Sequence, residues 1–179
     1  MGSDDQYSSN LLANYVILQK YESIAPGSAT QIRVKSGATG NIKTAIYSDA
    51  DGVPGTRLAA ATFAVVDGWI TADISAVFLP AGYYWLGEVG SALGVVQREF
   101  GGTTLGTTGK TETYSTYSFP DQFDPTGSAT SANRLLISVW GTLATGGTGR
   151  LIGGPGKHPL ISGPGKHPLI SCGGNALIG

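Results

Sequence analysis

The sequence predicts an all-β protein, an antiparallel sandwich trailed by an extended Gly/Pro-rich segment. Three observations carry this reading. A 3.6-residue apolar period is almost absent from the 179 residues, and short alternating runs take its place. Gly, Pro or Asp bounds those runs every ten or so residues, the spacing of a β-sandwich. Beyond about Thr142 the composition changes. Residues 146–179 hold 11 Gly in 34 positions and almost no aromatic or acidic side chains, so they cannot build a core of their own. The chain therefore divides into an N-terminal arm at 1–9, a sandwich at 10–143, a Gly-rich linker at 144–150 and a C-terminal tail at 151–179.

Alternation places strands at about 11–19, 29–36, 41–48, 57–66, 69–74, 82–90, 94–100, 112–118 and 133–142. Val53-Pro54-Gly55-Thr56 fits a type II turn, because Pro54 presets φ and Gly55 accepts the positive φ that follows. Asp67-Gly68, between Val66 and Trp69, is a two-residue hairpin signal. Pro80-Ala81-Gly82 punctuates the approach to Tyr83-Tyr84-Trp85-Leu86. The last run carries Leu135, Ile137 and Val139 on one face and Leu136, Ser138 and Trp140 on the other. Two apolar faces predict a central strand covered on both sides, one cover being another subunit.

Composition excludes several classes. Charged residues are only 13% and the net charge is −1, so neither a nucleic-acid footprint nor a polybasic membrane anchor is expected. Low charge repulsion favours self-association. No run approaches the ~18 apolar residues of a membrane span, so no membrane insertion is expected. Met1-Gly-Ser-Asp-Asp-Gln6 lacks the character of a signal peptide. With a single cysteine, Cys172, no intrachain disulfide forms.

Candidate chemistry is sparse, and no catalytic, cofactor or metal residue is expected. His158 and His167 are the only histidines, and their spacing with Cys172 matches no standard zinc pattern. Asp49, Asp51 and Gly52 offer carboxylates to calcium but lack the remaining ligands of an EF-hand loop, and they read as a turn. Asp121 and Asp124 could form an acid/base pair, yet they lie in a proline-bounded loop. Tyr47, Trp69, Tyr83, Tyr84, Trp85 and Trp140 could stack on sugars. All six fall within expected strands, where aromatics are usually core. Gly106-Thr-Thr-Gly-Lys-Thr111 lacks the spacing and the βαβ setting of a phosphate loop. The surrounding Gly/Thr-rich stretch reads as an exposed loop able to carry O-linked sugars.

The tail holds the most specific pattern. Gly154-Pro-Gly-Lys-His-Pro-Leu-Ile-Ser162 is followed at once by an identical Gly163-Pro-Gly-Lys-His-Pro-Leu-Ile-Ser171. Leu-Ile pairs occur at Leu151-Ile152, Leu160-Ile161, Leu169-Ile170 and Leu177-Ile178. A repeat implies a repeated unit that must stack or dock to bury anything. Beyond Arg150 the extended chain reaches on the order of 95 Å, farther than the domain itself. The expected partner is therefore another copy of the chain, with these eight residues as subunit-interface residues.

Three stretches bear a family likeness: Ala45-Ile-Tyr-Ser-Asp-Ala-Asp-Gly-Val-Pro-Gly-Thr-Arg-Leu58; Gly68-Trp69 with Leu79-Pro-Ala-Gly-Tyr-Tyr-Trp-Leu86; and Tyr117-Ser-Phe-Pro-Asp-Gln-Phe123. Over about residues 10–142 the chain resembles a group of jelly-roll-like β-sandwich domains of microbial surface proteins and phage structural proteins. The resemblance implies an antiparallel jelly-roll-like sandwich and brings no catalytic residues. The expected function is a structural subunit of an extracellular or virion-surface fibre, a helical homopolymer joined through its tail. The alternative is a glycan-binding module of a cell surface or phage particle.

Overall fold

The computed structural model describes residues 8–10, 13–99, 106–128 and 134–153. They form an antiparallel β-sandwich of twelve strands: β1 (Ser8–Asn10), β2 (Tyr15–Ser23), β3 (Gly27–Ser36), β4 (Gly40–Ala50), β5 (Val53–Val65), β6 (Gly68–Leu79), β7 (Gly82–Gly90), β8 (Gln97–Glu99), β9 (Thr107–Thr111), β10 (Arg134–Leu135), β11 (Ile137–Leu143) and β12 (Thr148–Gly153).

The first eight strands are one long hairpin, rolled up. The pairings nest. Asn10↔Gln97 encloses Ile17↔Glu88, which encloses Ile32↔Ala72, which encloses Ile42↔Phe63. Asp51 and Gly52 close the innermost pair with φ of +51° and +90°, the left-handed geometry of a type I′ turn. Rolling sends successive pairs to alternate layers. One sheet has the order β5-β4-β7-β2-β9 and the other β12-β11-β3-β6, while β1-β8-β10 forms a small third sheet. A hairpin wound into two facing sheets is the jelly-roll arrangement.

Period-two alternation sorts side chains between two apolar clusters. Between the sheets lie Ile17, Tyr21, Ile32, Val34, Ile42, Ile46, Tyr84, Leu86, Ile137 and Val139. The opposite face of the five-stranded sheet carries Val16, Leu18, Ala45, Tyr47, Trp85 and Val89. Phe119 and Phe123, with Tyr114 and Tyr117, cover it. Residues 112–128 thus act as a third layer, although 112–118 reads as a strand from its alternation.

Several other expectations are corrected. The hairpin turn sits at Asp51-Gly52, and Pro54 and Gly55 lie inside β5. Asp67-Gly68 joins strands of different sheets, so it is a corner and not a hairpin turn. β9 arises in the Gly/Thr-rich stretch read as a loop. β12 occupies residues assigned to the linker and the start of the tail, so the sandwich runs on to Gly153. Nothing in the sequence of 148–153 alternates for long enough to signal a strand. The core face left open beside β11 supplies the reason for it.

Candidate assembly site

β12 is the outer strand of its sheet, and it is where the repeat-bearing tail begins. The chain turns after β11 through Ala144–Gly147. Leu143 N–H donates to Gly147 O (3.0 Å), and Gly146 and Gly147 adopt φ of +89° and +84°. Two adjacent side chains on a regular strand face opposite ways. Here Val139 pairs with Ile152 and Trp140 with Arg150, leaving Leu151 as the extra residue of a bulge. Both Leu151 and Ile152 consequently enter the core, 4% and 1% exposed. Gly27 makes room for Leu151, since a Cβ there would lie 2.5 Å from its Cδ2.

This corrects the first of the four expected interface pairs. Leu151 and Ile152 are buried within their own subunit. Leu160, Ile161, Leu169, Ile170, Leu177 and Ile178, with His158, His167 and Cys172, lie outside the described residues.

The other candidates resolve into structural roles. Asp49 accepts from Lys20 Nζ (2.9 Å), Trp85 Nε1 (2.7 Å) and Gly52 N–H (3.3 Å). Its partial burial pushes the carboxyl up, but these bonds outweigh that and hold it below the usual range. Among the described residues no group of three His, Cys, Asp or Glu is placed to hold a metal ion. Asp121 pairs with Arg57 (2.6 Å), which also donates to Phe119 O, while Asp124 accepts from Thr126 N–H (2.9 Å). Asp121 therefore ties the covering layer to β5, while Asp124 closes a local turn within that layer.

Lys43 anchors the same layer, donating to Tyr114 O (2.7 Å) and Tyr117 O (2.6 Å). Lys43→Met is expected to cost about 2 kcal/mol by leaving both carbonyls unpaired. It should also speed limited proteolysis within 112–128. An unchanged cleavage rate would show that the aromatic contacts alone hold the layer.

Of the six aromatics, Tyr47, Tyr84 and Trp85 are buried and Trp140 is half-buried. Trp69 is 39% exposed, with the Arg33 guanidinium 5.1 Å from its ring centroid. Tyr83 is also exposed, beneath Lys20 Nζ. Alternation does not separate these cases, because on a two-sheet fold it fixes which residues share a face but not which face is covered.

The most unusual group was not singled out from the sequence. Glu88 faces the interior between Thr44 of β4 and Ile17 of β2. It is fully buried, and among the described residues neither carboxylate oxygen has a hydrogen-bond partner; Thr44 Oγ1 has none there either. Burial pushes the carboxyl up to about 8. The available signal was a lone acid in Trp85-Leu86-Gly87-Glu88-Val89, in phase with the inward Leu86.

No protein-family model, curated protein or solved structure matches this chain.

Proposed function

We propose that this chain is a structural subunit that self-assembles into a helical homopolymer, an extracellular or virion-surface fibre, through tail segments that dock on neighbouring copies. The observation that carries the reading is the fate of the first Leu-Ile pair. Leu151-Ile152 is seated in an apolar groove at the sheet edge, and three further pairs follow it along the chain. Each such side chain is worth roughly 1.5–3 kcal/mol when buried. Pro155, Pro159, Pro164 and Pro168 restrict the unbound tail and lower the cost of ordering it. The joint Leu160→Asp and Leu169→Asp variant is expected to remain folded and monomeric where the parent chain forms filaments under negative stain. Filaments of normal appearance from that variant would remove the nonapeptide pairs from the contact.

A second reading, glycan binding, has its own support. On the outer face of the four-stranded sheet, Trp69 with Arg33 neighbours the Gln31–Asp73 hydrogen bond (3.0 Å), and Trp140 follows beside Gln31. An exposed indole and a half-buried one beside planar polar groups suit pyranose rings. Trp69→Ala should then abolish retention on an immobilised polysaccharide that the parent chain binds, with circular dichroism unchanged. Equal retention of both proteins would end this reading.

A further inference from the structure

The groove that holds β12 is selective, and the selection falls on one residue. Gly153 has φ of +72°, and a Cβ at that position would lie 2.5 Å from Ile137 O, 3.2 Å from Leu86 Cδ1 and 3.4 Å from Ser138 Cα. The nearest obstacle is the backbone of β11, a strand held on both sides by β3 and β12. Any segment that seats a Leu-Ile pair in this groove must therefore carry glycine directly after it.

The four pairs differ at that position. Leu151-Ile152 is followed by Gly153, and Leu177-Ile178 by Gly179; Leu160-Ile161 and Leu169-Ile170 are followed by Ser162 and Ser171. The residue before the pair differs along the same division. Arg150 is paired with Trp140 in the ladder, and its counterpart before the last pair is Ala176, which keeps its backbone donor. Its counterparts in the nonapeptides are Pro159 and Pro168, which have none. One residue further back, Gly149 corresponds to Asn175, and a Cβ there would make only an ordinary 3.5 Å contact with Leu143 Cδ1. The glycine requirement thus admits the last pair and excludes the repeats.

Resting on the tail-docking reading above, we infer that residues 175–179 of one chain enter the β12 groove of a second copy, taking the place of its own residues 149–153. The two nonapeptide pairs then lie on the surface between the copies. The intervening residues 154–174 span on the order of 70 Å when extended, ample to reach a neighbour. In the free subunit β12 fills its own groove, so assembly is an exchange of equivalent strands. The incoming segment fills the groove as the outgoing one did, so the net drive comes from burying the nonapeptide pairs. Gly146 and Gly147, both left-handed, form the turn about which β12 swings out.

Disulfide trapping in the full chain tests this. Thr142 lies opposite Thr148 in the ladder, and the counterpart of Thr148 ahead of the last pair is Gly174, whereas ahead of the first nonapeptide pair it is Lys157. With Cys172→Ser, mild oxidation of the Thr142→Cys/Gly174→Cys chain should give a ladder of covalent multimers on a non-reducing gel. Thr142→Cys/Lys157→Cys should give at least tenfold less. A Gly174 cross-link confined to single chains, or none, overturns the inference. So does a Gly179→Ser chain that assembles at the parent's concentration while a chain ending at Gly153 stays monomeric; the tail would then dock elsewhere. If the chain ending at Gly153 still forms filaments, the tail-docking reading itself fails.

Discussion

Raising the pH from about 4.5 to about 8 is expected to weaken the sandwich by on the order of 5 kcal/mol, and Glu88→Gln to remove most of that loss. The sign follows from the proton balance. Below 4.5, the ordinary value for this group, Glu88 is protonated in folded and unfolded chains alike. Between 4.5 and about 8 the unfolded chain releases its proton while the folded core retains it. The folded state then binds more protons, so stability falls as pH rises, by about 1.4 kcal/mol per unit. Above about 8 both states are ionised and the loss levels off. Urea midpoints at pH 5, 6, 7, 8 and 9 should decline for the parent and stay nearly flat for Glu88→Gln. Asp49 does not confound the window. Its lowered carboxyl contributes stability that is lost only as pH falls below its ordinary 3.8. Glu88→Met should be more stable than the parent at neutral pH, because an apolar side chain of similar length replaces an unpartnered acid. A flat profile for the parent would mean that the carboxylate finds a partner in solution.

The second large effect separates the fold from the tail. Ending the chain after Gly149 removes Leu151 and Ile152 from the core and is expected to cost about 3–6 kcal/mol, at roughly 1.5–3 kcal/mol per buried side chain. Ending it after Gly153 removes no residue of β12 and should shift the urea midpoint little. Both chains should fail to form filaments. The comparison matters because composition alone places the boundary before Arg150, where truncation would damage the sandwich and mimic a loss of assembly. Equal stability of the two truncated chains would show that β12 contributes little to the core.

The fold class was legible because period-two alternation and Gly/Pro/Asp punctuation are local properties. Runs such as Ile42–Ile46 and Tyr84–Leu86 declare inward residues without reference to any partner, and the structure places them between the sheets. Strand pairing was less legible. Asp67-Gly68 has the residues of a hairpin turn, yet its flanking strands belong to different layers, because the rolling of the long hairpin decides which strands meet. The covering layer was misread for a related reason. Residues 112–118 read as a strand, but Tyr114 and Tyr117, with Phe119 and Phe123, dock on a sheet face that the sequence does not reveal to be open.

By itself, then, the sequence determined that the chain is all-β, where most strands run, and that four Leu-Ile pairs recur along its end. Tertiary structure decided that the first pair belongs to the sandwich. A bulge against β11 turns both side chains inward, and the backbone of Ile137 leaves no space for a Cβ after them. It also decided that Glu88 is a buried acid, because burial depends on what a second sheet lays over a strand. Alternation records which side chains share a face. The cover on that face comes from residues distant in sequence, and only the folded chain brings them there.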